Sequence, residues 1–193
     1  MAKSEDRPFI LGIGGTTNPD SSTEQALAIA LKAASDAGAE TQLFGSEKLC
    51  ALPHYLSDPA GLNETGKYLV DAVRRADGII LASPGYHGTI SGLVKNAVDY
   101  IEETAADERV YLDGLPVGLI ATAYGWQATG STLAAMRSIV HALRGWPTPL
   151  GVGINASGGI FRGGVCADEG VNTQLRIVAE QVMRGSHRRE LNE

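Results

Sequence analysis

Between Gly15 and Thr23 the chain reads GTTNPDSST, a hydroxyl-rich loop that leads into a helical pattern. A helix N-terminus carries unpaired backbone N–H groups and about half a positive charge. With side-chain hydroxyls as extra donors, this stretch can hold a phosphate without Lys or Arg. The same residues have a plainer reading, because Ser21-x-x-Glu24 and Ser22-x-x-Gln25 both have capping-box spacing, which needs no ligand. A dinucleotide reading starts from Gly12-Ile13-Gly14-Gly15. It fails further on, where Thr17 occupies the third-glycine position and the loop with Pro19 exceeds the tight turn of GxGxxG. A second group, SPGYHGT from Ser83 to Thr89, offers two glycines, Tyr86 and an imidazole at His87 that can act as a general acid, or else forms a simple turn. A third, TAYGWQATG from Thr122 to Gly130, places Tyr124 and Trp126 beside glycines. No GxSxG, HExxH or P-loop is present, so acyl transfer, metalloprotease chemistry and ATP hydrolysis have no support.

Each group follows an apolar segment that must position it. Ile79 to Ala82 is a continuous apolar run, as in a parallel strand buried on both faces. Pro84, Gly85 and Gly88 break it, and from Ser91 the residues Leu93, Val94, Ala97, Val98 and Ile101 recur at helical spacing. Further strands are expected at Phe9 to Gly14, Thr41 to Phe44, Pro116 to Tyr124 and Leu150 to Ile154. The helix after Thr23 has the stripe Leu27, Ala30, Leu31 and Ala34, with Gly38 placed to stop it. A second helix is expected from Leu62 to Asp77 with Tyr68, Leu69, Ala72 and Val73 inward, another from Ser131 to Trp146 with Leu133, Met136, Val140 and Leu143, and a last from Glu169 to Arg184. Leu49 to Tyr55 is too apolar for a free linker and is expected at a surface or subunit contact. Strand and helix alternate five times, which predicts an α/β three-layer αβα sandwich over one domain, residues 1–193, with 1–7 and 185–193 fraying. Five parallel strands fit the order 2-1-3-4-5 better than the six-stranded dinucleotide order. That order sets strands 1 and 3 side by side, so the loops after them flank one crevice.

Ser83-Pro84-x-Tyr86-x-Gly88, followed by Gly92, Leu93, Lys95, Asn96, Ala97 and Asp99, resembles the flavin-contacting signature of the NAD(P)H-dependent FMN reductases, a flavodoxin-like family. The resemblance continues more loosely over nearly the whole chain. Members commonly carry Glu, Asn and Pro where Gly85, His87 and Ser91 stand here, and often Arg at Asn18. The resemblance implies an FMN phosphate held in the loop of Gly15, Thr16, Asn18, Ser21, Ser22 and Thr23. The ring would meet Pro84, Gly85, Tyr86, His87 and Gly88, with backbone N–H groups at its N5 and carbonyl edge, and Thr122, Ala123, Tyr124 and Gly125 would close over it. His87 is the one catalytic candidate, and hydride transfer to flavin needs no side-chain acid. The implied activity is hydride transfer from NADPH or NADH to FMN. Electrons would then pass to free flavin for a partner monooxygenase, or to a quinone, an azo compound or a metal ion. The alternatives are a non-enzymatic electron carrier of flavodoxin type and a Rossmann-type enzyme without flavin. The family pattern also implies a homodimer or homotetramer, for which Leu49 to Tyr55 and Trp126 supply apolar surface.

A formal charge of -6 without a basic stripe argues against nucleic-acid binding. The 24 glycines among 193 residues exceed the usual ~7% and gather largely in loops. Cys50 and Cys166 stand far apart with no CxxC or zinc spacing, which fits two reduced structural thiols and no metal. MAKSEDRPF lacks the apolar region of a signal peptide, and no apolar run approaches the ~20 residues of a membrane span, so the expected location is cytoplasmic.

Overall fold

The computed structural model of the chain describes residues 7–56 and 61–190. In order it forms β1 (Phe9–Gly14), α1 (Ser22–Asp36), β2 (Glu40–Phe44), α2 (Ser46–Ala51), α3 (Glu64–Arg75), β3 (Gly78–Tyr86), β4 (Thr89–Ile90), α4 (Gly92–Asp99), β5 (Pro116–Ala123), α5 (Trp126–Ala142), β6 (Trp146–Asn155), β7 (Phe161–Arg162), β8 (Val165–Cys166) and α6 (Glu169–Glu190). The long strands lie parallel in the order β2-β1-β3-β5-β6. Counted among themselves they run 2-1-3-4-5, the flavodoxin-like order expected. Two short additions were not expected: β4 pairs antiparallel with the end of β3, and β7 and β8 form a separate small ribbon.

Alternation along the strands builds two cores, one on each face. Phe9, Leu11, Ile13, Ile79, Leu81, Val117 and Leu119 face α3, α4 and α5, while Ile10, Ile80, Ile120, Val152 and Ile154 face α1 and α6. The second face is set with glycine. A Cβ on Gly12 would lie 2.5 Å from Leu31, one on Gly78 2.6 Å from Val182, and one on Gly118 2.9 Å from Val178 and Val182. These absent side chains let α1 and α6 seat directly on the strands.

Several expectations need correction. Within Leu49 to Tyr55 the expected surface placement holds for Cys50, Ala51 and His54, but Leu49 and Leu52 belong to the chain's own core, and the segment that follows is held by Asn96, whose Nδ2 donates to the Pro53 carbonyl while its Oδ1 accepts from Tyr55 N–H. Tyr68 is not inward: it is 44% exposed and stacks on Phe44, and Val70 fills the core instead. Helix α5 starts at Trp126, ahead of the expected Ser131, and stops before Trp146, which opens β6. Of the expected frayed ends, residues 1–6 and 191–193 lie outside the described residues, and α6 continues past Arg184 to Glu190. Among the described residues no helix is long and apolar enough to cross a membrane.

Candidate functional site

At the carboxyl ends of β1, β3 and β5 lies a crevice of about 890 Å³. Its position follows from the sheet order, since Gly14 pairs with Ala82 and Pro84 with Thr122, so the three following loops converge. Thr16, Asn18, Ser21, Ser22, Thr23, Pro84, Gly85, Tyr86, Gly88, Thr122, Ala123, Tyr124 and Gly125 all line it. Two residues expected beside them do not. Gly15 turns away, toward Glu24 and Ser46, and His87 stands at an exposed tip. Asp20, Gln127, Ala128, Ser131 and Ala156 complete the lining and were missed.

The loop after β1 is shaped by its own hydrogen bonds. Thr16 Oγ1 accepts from Asn18 N–H and donates to the Asn18 carbonyl, and Asn18 Oδ1 accepts from Asp20 N–H in an Asx turn. The Thr16 hydroxyl hydrogen is therefore spent within the loop. Ser21 caps α1: its Oγ accepts from Glu24 N–H at 3.3 Å, which leaves its own hydrogen free to donate. The capping box is half formed, because Ser21 N–H bonds the Asn18 carbonyl and the Glu24 carboxylate is engaged by Ser46. The first-turn N–H groups of Ser22 and Thr23 have no intrahelical acceptor. Thr23 is buried, its Oγ1 2.6 Å from Thr122 Oγ1, and this pair ties the start of α1 to the end of β5. Gln25 closes the far side, donating to the Asp20 carbonyl and accepting from Gly164 N–H of the β7–β8 ribbon.

After β3 the chain makes a two-residue hairpin. Tyr86 pairs with Thr89, and His87 (φ 50°) and Gly88 (φ 95°) both take positive φ, the requirement of a type I′ turn. Histidine tolerates that region better than most residues, and glycine takes it freely. The base of the hairpin is fixed by Ser83, whose Oγ accepts from the N–H of Ser91, the cap of α4. Gly85 has a different reason for lacking a side chain. A Cβ there would lie 2.5 Å from Thr132 Oγ1 and 3.2 Å from the Ala128 carbonyl, so the glycine admits α5. Lys95 and Asp99, also in the signature, pair with each other on the surface of α4, and Asn96 serves the Pro53–Tyr55 segment.

The third wall is the start of α5. Gly125 caps it without a side-chain hydrogen bond, so a second helix N-terminus opens on the crevice, through Gln127 and Ala128. A glycine N-cap ahead of a periodic run was the available signal. Arg137, in the same helix, faces elsewhere and donates to the carbonyls of Thr148 and Pro149, where β6 is irregular. Asp20, Tyr86 and Tyr124 are the only ionisable side chains among the lining residues, and none of these is Lys, Arg or His. The crevice thus has two helix N-termini, that of α1 capped by Ser21 with Glu24 in its first turn and that of α5 with neither a side-chain cap nor a first-turn acid, together with a row of hydroxyls, a slot of small residues and two tyrosines at its mouth, 52% and 84% exposed. Such a lining has the chemistry to take an anion by backbone dipoles and a flat apolar body by shape. It offers no charged acid–base pair.

Comparison with known proteins agrees with that geometry. The chain is 37% identical over 79 residues to the FMN-dependent NADPH-azoreductase of Staphylococcus haemolyticus (strain JCSC1435), covering 41% of this chain and 38% of that one. It therefore spans less than half the length of the curated relative. Among solved structures it resembles an oxidoreductase from Corynebacterium diphtheriae, with a TM-score of 0.71 at 19% identity over 94% of this chain and 98% of the other. It also resembles a flavodoxin, WrbA-like protein from Agrobacterium tumefaciens, with a TM-score of 0.63 at 14% identity over 92% and 98%. At those identities the likeness shows the fold alone. The sequence pattern of the NADPH-dependent FMN reductases matches residues 8–158, and by that match the chain belongs to this family.

Proposed function

We propose that the crevice binds FMN and that the chain uses it to oxidise NADPH or NADH. The observation that carries this reading is the crevice itself, an anion site of backbone N–H groups joined to a slot walled by Pro84, Gly85, Ala123, Ala128 and Ala156. Its volume lies in the ~300–1,000 Å³ range of sites for ligands of this size. The residues present fit the group. Ser21, Ser22 and Thr23 with the start of α1 would hold the phosphate, and Gly85, Tyr86 and Gly88 with Ala123 to Gly125 would flank the ring. When bound, FMN supplies the hydride and electron chemistry.

The chain's own contribution is position. The Thr23–Thr122 pair fixes the phosphate pole relative to the ring walls, the type I′ turn presents backbone at the mouth, and the exposed Tyr86 and Tyr124 leave room for a nicotinamide and then an acceptor. His87 lies outside the lining, which supports a mechanism without a histidine acid. The exposed ring of Tyr86, Tyr124 and Trp126 supports a homo-oligomer that covers the mouth, which sedimentation would test.

The deciding experiment titrates the purified protein with FMN by fluorescence quenching, then adds NADH or NADPH without oxygen. One tight equivalent of FMN and loss of its yellow colour are expected. Binding without bleaching would make the chain an electron carrier, and no binding would refute the flavin reading.

A further inference from the structure

We propose that Glu24, which does not touch the crevice, is a positioning residue for its phosphate pole and acts through Ser46. The proposal rests on the reading that the start of α1 holds the phosphate of FMN. Glu24 lies in the first turn of α1, and its Oε2 accepts from both the N–H and the hydroxyl of Ser46, the first residue of α2. Ser46 is 1% exposed. Its Oγ also accepts from Thr16 N–H of the loop after β1 at 3.4 Å, and it lies 3.2 Å from the Asn18 carbonyl, a weaker neutral rival to Glu24 for its one hydrogen.

A serine hydroxyl has one hydrogen and two lone pairs. With that hydrogen given to the carboxylate, the lone pairs of Ser46 are aimed at Thr16 N–H, and the loop is held from below at a fixed height over α1. Room for the carboxylate has been cleared in two separate loops. A Cβ on Gly15 would lie 2.9 Å from Glu24 Oε2, and one on Gly45 2.8 Å from the same atom. A carboxylate that only complements the helix dipole needs neither burial nor a partner, and one that closes a capping box would return to Ser21 N–H, which Asn18 already holds. Glu24 does neither.

The charge makes the inference testable by sign. As a mere anion near a phosphate, Glu24 would repel it, and Glu24→Gln would tighten FMN. As a positioning residue it orders the donors, and the same substitution loosens FMN. Dissociation constants for FMN and riboflavin should be measured for the parent, Glu24→Gln, Ser46→Ala and the double variant, with melting temperatures of the flavin-free proteins. We expect FMN to weaken about tenfold in each single variant, the scale of one charge-assisted hydrogen bond, riboflavin to change less than about threefold, and the double variant to be no worse than the singles. Tighter or unchanged FMN in Glu24→Gln, equal losses for both flavins, or additive losses in the double variant would overturn the proposal while leaving the phosphate reading intact. A parent that binds FMN and riboflavin equally would overturn both. If Glu24→Gln does not fold, Ser46→Ala alone decides, by whether its loss is confined to FMN.

Discussion

Gly85→Ala tests whether this glycine serves the flavin or the helix behind it. The added methyl would lie 2.5 Å from Thr132 Oγ1 and 3.2 Å from the Ala128 carbonyl. Neither neighbour yields easily: Ala128 offers backbone, and Thr132 is β-branched and fully buried on a helix. Overpacking of that kind costs about 1–3 kcal/mol. Thr132 also supplies the control, because its buried hydroxyl has no hydrogen-bond partner among the described residues. Thr132→Ala gives up a methyl worth about 0.8 kcal/mol and relieves an unpaired polar group worth about 1–3 kcal/mol, so alone it should be close to neutral or mildly stabilising. In Gly85→Ala/Thr132→Ala the closer of the two contacts is removed while the 3.2 Å approach to the Ala128 carbonyl stays, so a favourable coupling of about 1–2 kcal/mol, short of full recovery, is expected. Urea unfolding of the flavin-free proteins reads the cycle directly, with FMN titrations in parallel. If Gly85→Ala unfolds like the parent yet loses FMN, and Thr132→Ala restores nothing, the glycine is there for the ring and the packing argument is wrong.

Other parts of the molecule carry further expectations. Ser21→Ala with Thr23→Ala should weaken FMN by about 2–3 kcal/mol, at about 1–1.5 per hydrogen bond, and riboflavin far less; equal losses would reduce the loop to a helix cap. With no Lys or Arg among the crevice residues, steady-state kinetics should show a preference for NADPH over NADH below about a hundredfold, ~2.7 kcal/mol, and a larger one would reveal a cation supplied from elsewhere. His87→Asn, which suits a type I′ turn, should keep its melting temperature and turn over within about tenfold of the parent, whereas Gly88→Val should cost at least about 1–2 kcal/mol at φ 95°; a bell-shaped pH profile flattened in His87→Asn would make the imidazole an acid or base. Finally, burial and the hydrogen bond to Glu103 push the Tyr55 hydroxyl up to about 12. The folded state thus holds this proton more tightly than the unfolded chain, so stability should fall as pH rises from about 10 to about 12, and Tyr55→Phe should flatten that part of the curve.

The strands that carry the site were legible because they are buried on both faces. Ile79 to Ala82 and Pro116 to Ala123 are apolar without interruption, and no other element explains such runs in a chain this rich in turns. Boundaries were harder where tertiary contacts override local signals. Gly125 to Gly130 reads as a loop, yet from Trp126 it is helical because Ala128, Thr129 and Thr132 rest on the hairpin base and on β6. Trp146 continued a helical pattern in sequence, but Arg144 at φ 64° and Gly145, tight against Val140, end the helix before it. Much of the site was visible as residue types, and its internal wiring was not. No spacing rule indicates that Glu24 turns to Ser46, or that Asn96, inside the flavin signature, serves a segment some forty positions away.

The glycines at positions 12, 78 and 118 act as a datum surface for the helices above them. The height of α1 over the sheet is set by the missing methyl of Gly12 against Leu27 and Leu31, and the proposed phosphate pole rides on the end of that same helix. A tolerance of tenths of an ångström in the core is thereby transmitted to the donors at the crevice. Affinity for an anion can drift during evolution through residues that never see it. A screen for weakened flavin binding would recover substitutions on the buried face of β1 as readily as in the crevice, and these would look like defects of packing until the position of the helix end was measured.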